Sequence, residues 1–149
     1  MREATIDDLV AEDDPFSPYA PPGFDYPGEM AAVAALRLPL ETLTGLALKQ
    51  DTDVDDASFF TDLYVHDPVP CPHPTAGEVI ETFVAVRFSS FGKFFTVWGN
   101  SSRRPLSGEM LGRIAALVSE HGFLYVPSSL LDQPHPEWKS WGTRYFDYL

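Results

Sequence analysis

Apolar and polar positions are patterned most clearly between residues 78 and 99. Val79, Ile80, Phe83, Val84, Val86 and Phe88 predict one strand, and Phe94, Phe95, Val97 and Trp98 predict the next. Ser89, Ser90, Phe91 and Gly92 lie between them as a turn, with the glycine able to take a positive φ. The stretch therefore predicts a β-hairpin. The period then changes. Leu111, Ile114, Leu117 and Val118 form one apolar stripe at helical spacing. Ser107 stands at the N-cap, Leu106 and Leu111 occupy the staple positions, and Gly122 sits where a helix C-terminus turns left-handed. A helix over 108–121 follows, then a short strand over 123–126 stopped by Pro127.

Upstream, 58–66 has a strand-forming composition. Residues 67–74 read as a stiff loop, with Pro68, Pro70, Pro72 and Pro74 around Cys71 and His73. Residues 29–50 read as helical, with Met30, Val33, Ala34, Leu40, Leu43, Leu46 and Ala47 at a period near 3.6 on either side of Pro39, which splits the stretch. The first 28 residues hold Pro15, Pro18, Pro21, Pro22 and Pro27, with Phe16, Tyr19, Phe24 and Tyr26 among them. This segment reads as an extended arm that lies on the domain and buries its rings, with a short helix over 5–11. At the other end, Trp138, Trp141, Tyr145 and Tyr148 follow helical spacing, while Arg144, Phe146 and Tyr148 follow strand spacing. Gly142 favours a short helical turn followed by a strand, docked on the body of the protein.

These elements predict an α+β fold in a single domain of 149 residues: an antiparallel sheet with helices packed on it, and a Pro-rich N-terminal arm. A chain of this size buries roughly 68–70% of its unfolded surface, enough for a core without staples. Its single cysteine offers no internal disulfide, its opening is acidic rather than signal-like, and no apolar run approaches the ~20 residues of a membrane span. The expected location is the cytoplasm, without a membrane partner.

Charge adds a second asymmetry. Residues 1–68 carry fifteen Asp and Glu against three basic residues, so the whole formal charge of −12 falls there, and residues 69–149 carry seven of each sign. A dense acidic segment steers basic partners toward it and repels nucleic acid and anionic lipid.

Candidate chemistry is sparse. Asp51, Asp53 and Asp55 fit the first positions of a calcium loop, but Asp56 stands where glycine is needed, Ser58 where an apolar residue is needed, and Asp62 where a bidentate glutamate closes the site. The group reads as a solvated acidic loop or a partner contact. His66, Cys71 and His73 match no familiar zinc spacing, and Cys71 lacks the helix N-terminus that activates a nucleophile. No phosphate loop, dinucleotide fingerprint or nucleophile elbow occurs. Arg103 and Arg104 form the only basic pair. No metal or cofactor is expected.

The hairpin bearing Phe94, Phe95, Val97, Trp98 and Gly99, the amphipathic helix after it, and the Trp-rich end running through Arg144, Tyr145, Phe146, Asp147, Tyr148 and Leu149 together resemble small immunity proteins of bacterial polymorphic-toxin systems, of the contact-dependent or type VI secretion kind. The resemblance covers residues 78–149. It implies a cytoplasmic α+β protein, encoded beside the toxin it blocks, with no catalysis of its own. Some proteins of this type pair with nucleases, whose sites must be electropositive to attract phosphate, so an acidic inhibitor can occlude them and associate fast. On that reading Asp51, Asp53, Asp55, Asp56 and Asp62 contact the toxin around an aromatic anchor. The alternative is a small-molecule-binding domain or small enzyme with a pocket lined by Trp98, Trp138, Trp141 and Tyr145, and His66 or His73 as acid–base. A scaffold subunit is a third class.

Overall fold

The computed structural model describes residues 1–70 and 78–147. Cys71, His73 and Tyr148, singled out above, lie outside the described residues. The order of elements is α1 (Ile6–Glu12), α2 (Tyr26–Ala34), α3 (Arg37–Thr44), β1 (Lys49–Gln50), β2 (Phe59–Pro70), β3 (Glu78–Ser89), β4 (Phe94–Trp98), α4 (Gly108–Ser119), β5 (Leu124–Tyr125), α5 (Ser128–Leu131) and α6 (Trp141–Phe146). The fold is α+β, and five strands form one sheet in the order β1-β2-β3-β4-β5. The first four pair antiparallel, whereas β5 runs parallel to β4. The wholly antiparallel expectation is corrected at that edge. Two adjacent parallel strands need a crossover, and α4 supplies it.

The hairpin is as predicted, with Val86 opposite Val97 and Phe88 opposite Phe95. Its turn places Gly92 and Lys93 at φ 58° and 57°. Ser107 caps α4 by accepting from the Met110 N–H at 3.1 Å, and the helix ends two residues short of the expected boundary, with Gly122 at φ 89°. Thr5 caps α1 through a reciprocal box with Asp8. The helical stretch is split as expected, between Ala34 and Arg37, with Pro39 in the first turn of α3, but it ends at Thr44, where Gly45 takes φ 72°, and Lys49–Gln50 is strand instead of helix. The first helical N–H groups have no intrahelical acceptor, so a proline there costs no hydrogen bond.

Two expectations fail for tertiary reasons. The loop predicted from 67 onward is strand as far as Pro70, paired with β3 from Asp67 opposite Glu81 to Pro70 opposite Glu78. Among the described residues β1 covers only Leu63 and Tyr64 of the outer edge of β2. Pro68 and Pro70 thus lie on an edge strand, where a missing N–H is tolerated and further pairing is discouraged. At the C-terminus α6 is helical through Phe146, and the expected final strand is absent among the described residues.

Adjacent side chains of β4 point to opposite faces, so Phe94 and Phe95 feed two separate cores. On one face Leu63, Val84, Val86, Phe88, Phe95 and Val97 pack against Val33, Leu36 and Leu40 before Ile114, Ala115 and Val118 of α4 complete the layer. On the other, Phe91 and Phe94 meet Leu9 of α1, Leu131 of α5, and Trp141, Tyr145 and Phe146 of α6. Among the described residues no helix is long and apolar enough to cross a membrane.

The N-terminal arm departs from expectation. Residues 13–25 run as a succession of turns. Phe24 packs on the first core, edge-on to Phe60, and Tyr26, though exposed, also meets Phe60 edge-on, while Phe16 and Tyr19 are exposed.

Candidate functional site

The second core covers one end of its sheet face. At the other end the polar side chains of β2, β3 and β4 remain open. Asp51, Asp62, Tyr64, His66, Thr82, Ala85, Arg87 and Trp98 line a shallow depression of about 250 Å³ there.

Arg87 organises its floor. The guanidinium donates to both Asp62 oxygens at 2.9 Å and to the Phe146 carbonyl at 3.1 Å, tying the sheet to the end of α6. It stacks over Phe59 at 3.8 Å and lies 5.4 Å from the Trp98 ring. Burial pushes the Asp62 carboxyl above its ordinary range, the Arg87 hydrogen bonds offset part of this, and Asp51 adds repulsion. Asp62 is therefore a buried partner of Arg87 and not a free contact of the acidic loop.

Trp98 is only partly buried, although its place in the apolar pattern of the hairpin predicts a core residue. Its Nε1 is nevertheless buried and has no hydrogen-bond partner among the described residues. Tyr64 and His66 stack beside the depression with ring centres 4.6 Å apart.

The acidic loop borders this opening. The Asp51 N–H donates to the Asp62 carbonyl at 2.9 Å, and Thr61 Oγ1 donates to the Asp51 carbonyl at 2.7 Å. Asp51 Oδ1 then accepts from the Asp53 N–H, and Asp56 takes φ 53°. Among the described residues none of Asp51, Asp53, Asp55 and Asp56 forms an ion pair, and no three acidic, histidine or cysteine side chains converge as a metal site.

Part of the charge asymmetry is matched in space, while Glu3, Asp7, Glu12, Asp14 and Asp25 also form no ion pair among the described residues. Arg87 pairs with Asp62, Lys93 with Glu29, Arg103 and Arg104 with Asp67, and Arg144 with Asp13. The Asp67 carboxyl is held below its usual range, first by the Ser101 hydroxyl and then by the two arginines. Arg103 and Arg104 thus hold the loop after β4 to β2, and Arg104 also covers the Phe83 ring at 4.1 Å.

The four-aromatic pocket is not assembled. Trp141 and Tyr145 are buried in the second core, stacked at 5.7 Å, and Trp138 lies 5.6 Å from the Arg144 guanidinium. Only Trp98 reaches the depression, and His66 is the histidine beside it. Sequence reasoning missed Tyr64 and Arg87. The alternation of Asp62, Tyr64 and His66 along β2 was the available signal for a polar second face.

Comparison with known proteins finds no matching family model, no matching curated protein and no matching solved structure. The functional reading rests on the geometry of this face.

Proposed function

We propose that this chain is an immunity-type binding protein that neutralises a toxin, of nuclease type, by covering the toxin's basic active site. The observation that carries the reading is the juxtaposition of four unpaired aspartates with an uncovered aromatic sheet face. Asp51, Asp53, Asp55 and Asp56 supply negative charge without an ion-pair partner among the described residues, and Asp51 lines the depression together with Trp98 and Tyr64. Long-range charge speeds encounter, while a partly exposed tryptophan supplies the apolar contact around which interface energy concentrates. The expected setting is the cytoplasm, beside the gene of the toxin.

The test is co-expression with the product of the adjacent gene. Rescue of growth, with a complex of the two purified proteins, supports the reading, and failure to rescue sinks it.

A second reading has one observation in its favour. The depression is lined by His66 and by Trp98, whose buried Nε1 has no hydrogen-bond partner among the described residues, as a small-molecule site can be. A turnover lost on His66→Ala reverses the ranking.

A further inference from the structure

The depression between β2, β3 and β4 has a small floor and aromatic sides. Strand register sets Ala85 of β3 opposite both Tyr64 of β2 and Trp98 of β4. One row across the sheet thus runs ring, methyl group, ring, and His66 stands opposite Thr82 further along. The polar groups here are largely unspent. Among the described residues the Tyr64 and Thr82 hydroxyls and the His66 ring nitrogens have no hydrogen-bond partner. Asp51 Oδ2 has none either, because the Asp53 N–H is held by Oδ1. Arg87, in contrast, is already committed to Asp62 and to the Phe146 carbonyl.

Charge selects among ligands for such a site. Asp51 and Asp62 against Arg87 leave one negative charge in the lining when His66 is neutral. An anion would meet the Asp51 carboxylate with no uncommitted cation to hold it. A neutral ring would leave that carboxylate unmatched. A flat cation meets the opposite conditions: it stacks on aromatic faces, its N–H groups find hydroxyl and ring acceptors, and it offsets the carboxylate.

We propose that the depression receives one arginine side chain of a protein partner, its guanidinium laid against Trp98 and Tyr64 and its N–H groups donated to the Tyr64 and Thr82 hydroxyls. Asp51 stands at the rim and draws the cation in, since an exposed charge acts mainly on encounter. The proposal rests on the neutralisation reading, for which it names the group that the toxin's basic site inserts.

The test titrates the full chain with N-acetyl-arginine amide and, separately, with the matching citrulline amide, which keeps the shape and loses the charge, and with the lysine and glutamate amides. The Trp98 indole N–H, identified by NMR through its loss in Trp98→Phe, reports binding. The expected result is a saturable shift with the arginine amide, at an affinity about 10-fold above that of the citrulline amide. Asp51→Asn, which keeps an acceptor for the Asp53 N–H, should weaken arginine amide binding about 3-fold. Asp7→Asn, which removes an exposed charge from α1, should leave it unchanged. The adjacent-gene toxin should displace the arginine amide. No saturable shift, equal binding of the citrulline or lysine amide, preference for the glutamate amide, or an Asp51→Asn effect no larger than that of Asp7→Asn overturns the proposal. A toxin that is neutralised yet leaves the arginine amide in the depression overturns it as well and keeps the neutralisation reading. Arginine amide binding without rescue of growth sinks only that reading.

Discussion

Arg144 and Asp13 stand 131 positions apart in the chain and meet through a hydrogen bond of 2.7 Å. The other Asp13 oxygen binds His135 Nε2, also at 2.7 Å. His135 Nδ1 accepts the backbone N–H groups of Glu137 and Trp138, which leaves Nε2 as the donor to Asp13. The Tyr145 hydroxyl donates to the Leu9 carbonyl close by. The last helix and the first thirty residues are thereby closed on each other by buried polar bonds.

Arg144→Ala removes every one of its bonds to the arm and leaves Asp13 without its cation. The expected loss is about 3–5 kcal/mol of stability, the range for breaking one side of a buried pair. Urea denaturation measures it. Amide exchange should speed up in residues 13–18 more than in the 84–97 hairpin, and an equal change in both would mean that Arg144 is not specific to the arm.

The pH dependence of stability has two opposing parts. Burial raises the Asp13 carboxyl, but hydrogen bonds from Arg144 and His135 outweigh that and leave it below the ordinary carboxylate range. Its contribution is full above the unfolded value and is lost as pH falls through the lower folded one. Asp62 has the opposite sign, because its folded value is raised, so the folded state takes up its proton first as pH falls. Stability should therefore rise slightly on mild acidification below neutrality and then fall steeply below about pH 3.8. In Asp62→Asn the rise should vanish while the steep fall persists. A rise that survives in Asp62→Asn would refute the assignment.

Two tryptophans that look alike in sequence should behave differently. Trp141 is buried, stacked on Tyr145 and edge-on to His135 at 4.4 Å, so Trp141→Ala should cost about 3–5 kcal/mol. Trp98→Phe deletes an unpartnered buried N–H and keeps an aromatic face near Arg87, so its stability should change by less than about 1 kcal/mol. If Trp98 serves binding, Trp98→Phe weakens partner affinity at unchanged stability. Calorimetry of both variants, with and without partner, separates the two roles.

What was legible in the sequence was local. The hairpin and α4 are specified within short windows by alternation, a capping serine and a terminal glycine, and they form where those signals stand. The extension of β2 through Pro68 and Pro70 was not legible, because whether a strand tolerates proline depends on which neighbour its edge lacks. The parallel seat of β5 depends on a crossover over the whole of α4. The charge asymmetry was legible as a count but not as a surface, since Arg87, Lys93, Arg103, Arg104 and Arg144 return in three dimensions to the acids of the first half. Among the described residues nine acids of that half form no ion pair, and Asp51, Asp53, Asp55 and Asp56 are the four of them gathered in one turn. Their spacing singles them out in the sequence, whereas the burial of Asp62 in β2 against Arg87 is not visible there.

That unmatched turn makes the electrostatic part of the proposed function testable by itself. Neutralising Asp51, Asp53, Asp55 and Asp56 together to asparagine preserves the polar acceptors, including the one Asp51 offers to the Asp53 N–H, and removes four charges. Exposed charge acts mainly on encounter, so the association rate with the partner should fall by about 10-fold at low salt while the dissociation rate changes little. The unmodified chain should itself associate more slowly as salt rises, since the screening length shrinks to ~8 Å at physiological ionic strength. The two chains should converge at high salt, where the field no longer reaches the partner. Stopped-flow binding across a salt series measures both rates. A variant that associates as fast as the unmodified chain at every salt concentration would leave the open aromatic face as the contact and remove the acidic turn from the mechanism. A variant that dissociates faster with unchanged association would place these aspartates inside the contact itself, as desolvated partners of specific basic groups.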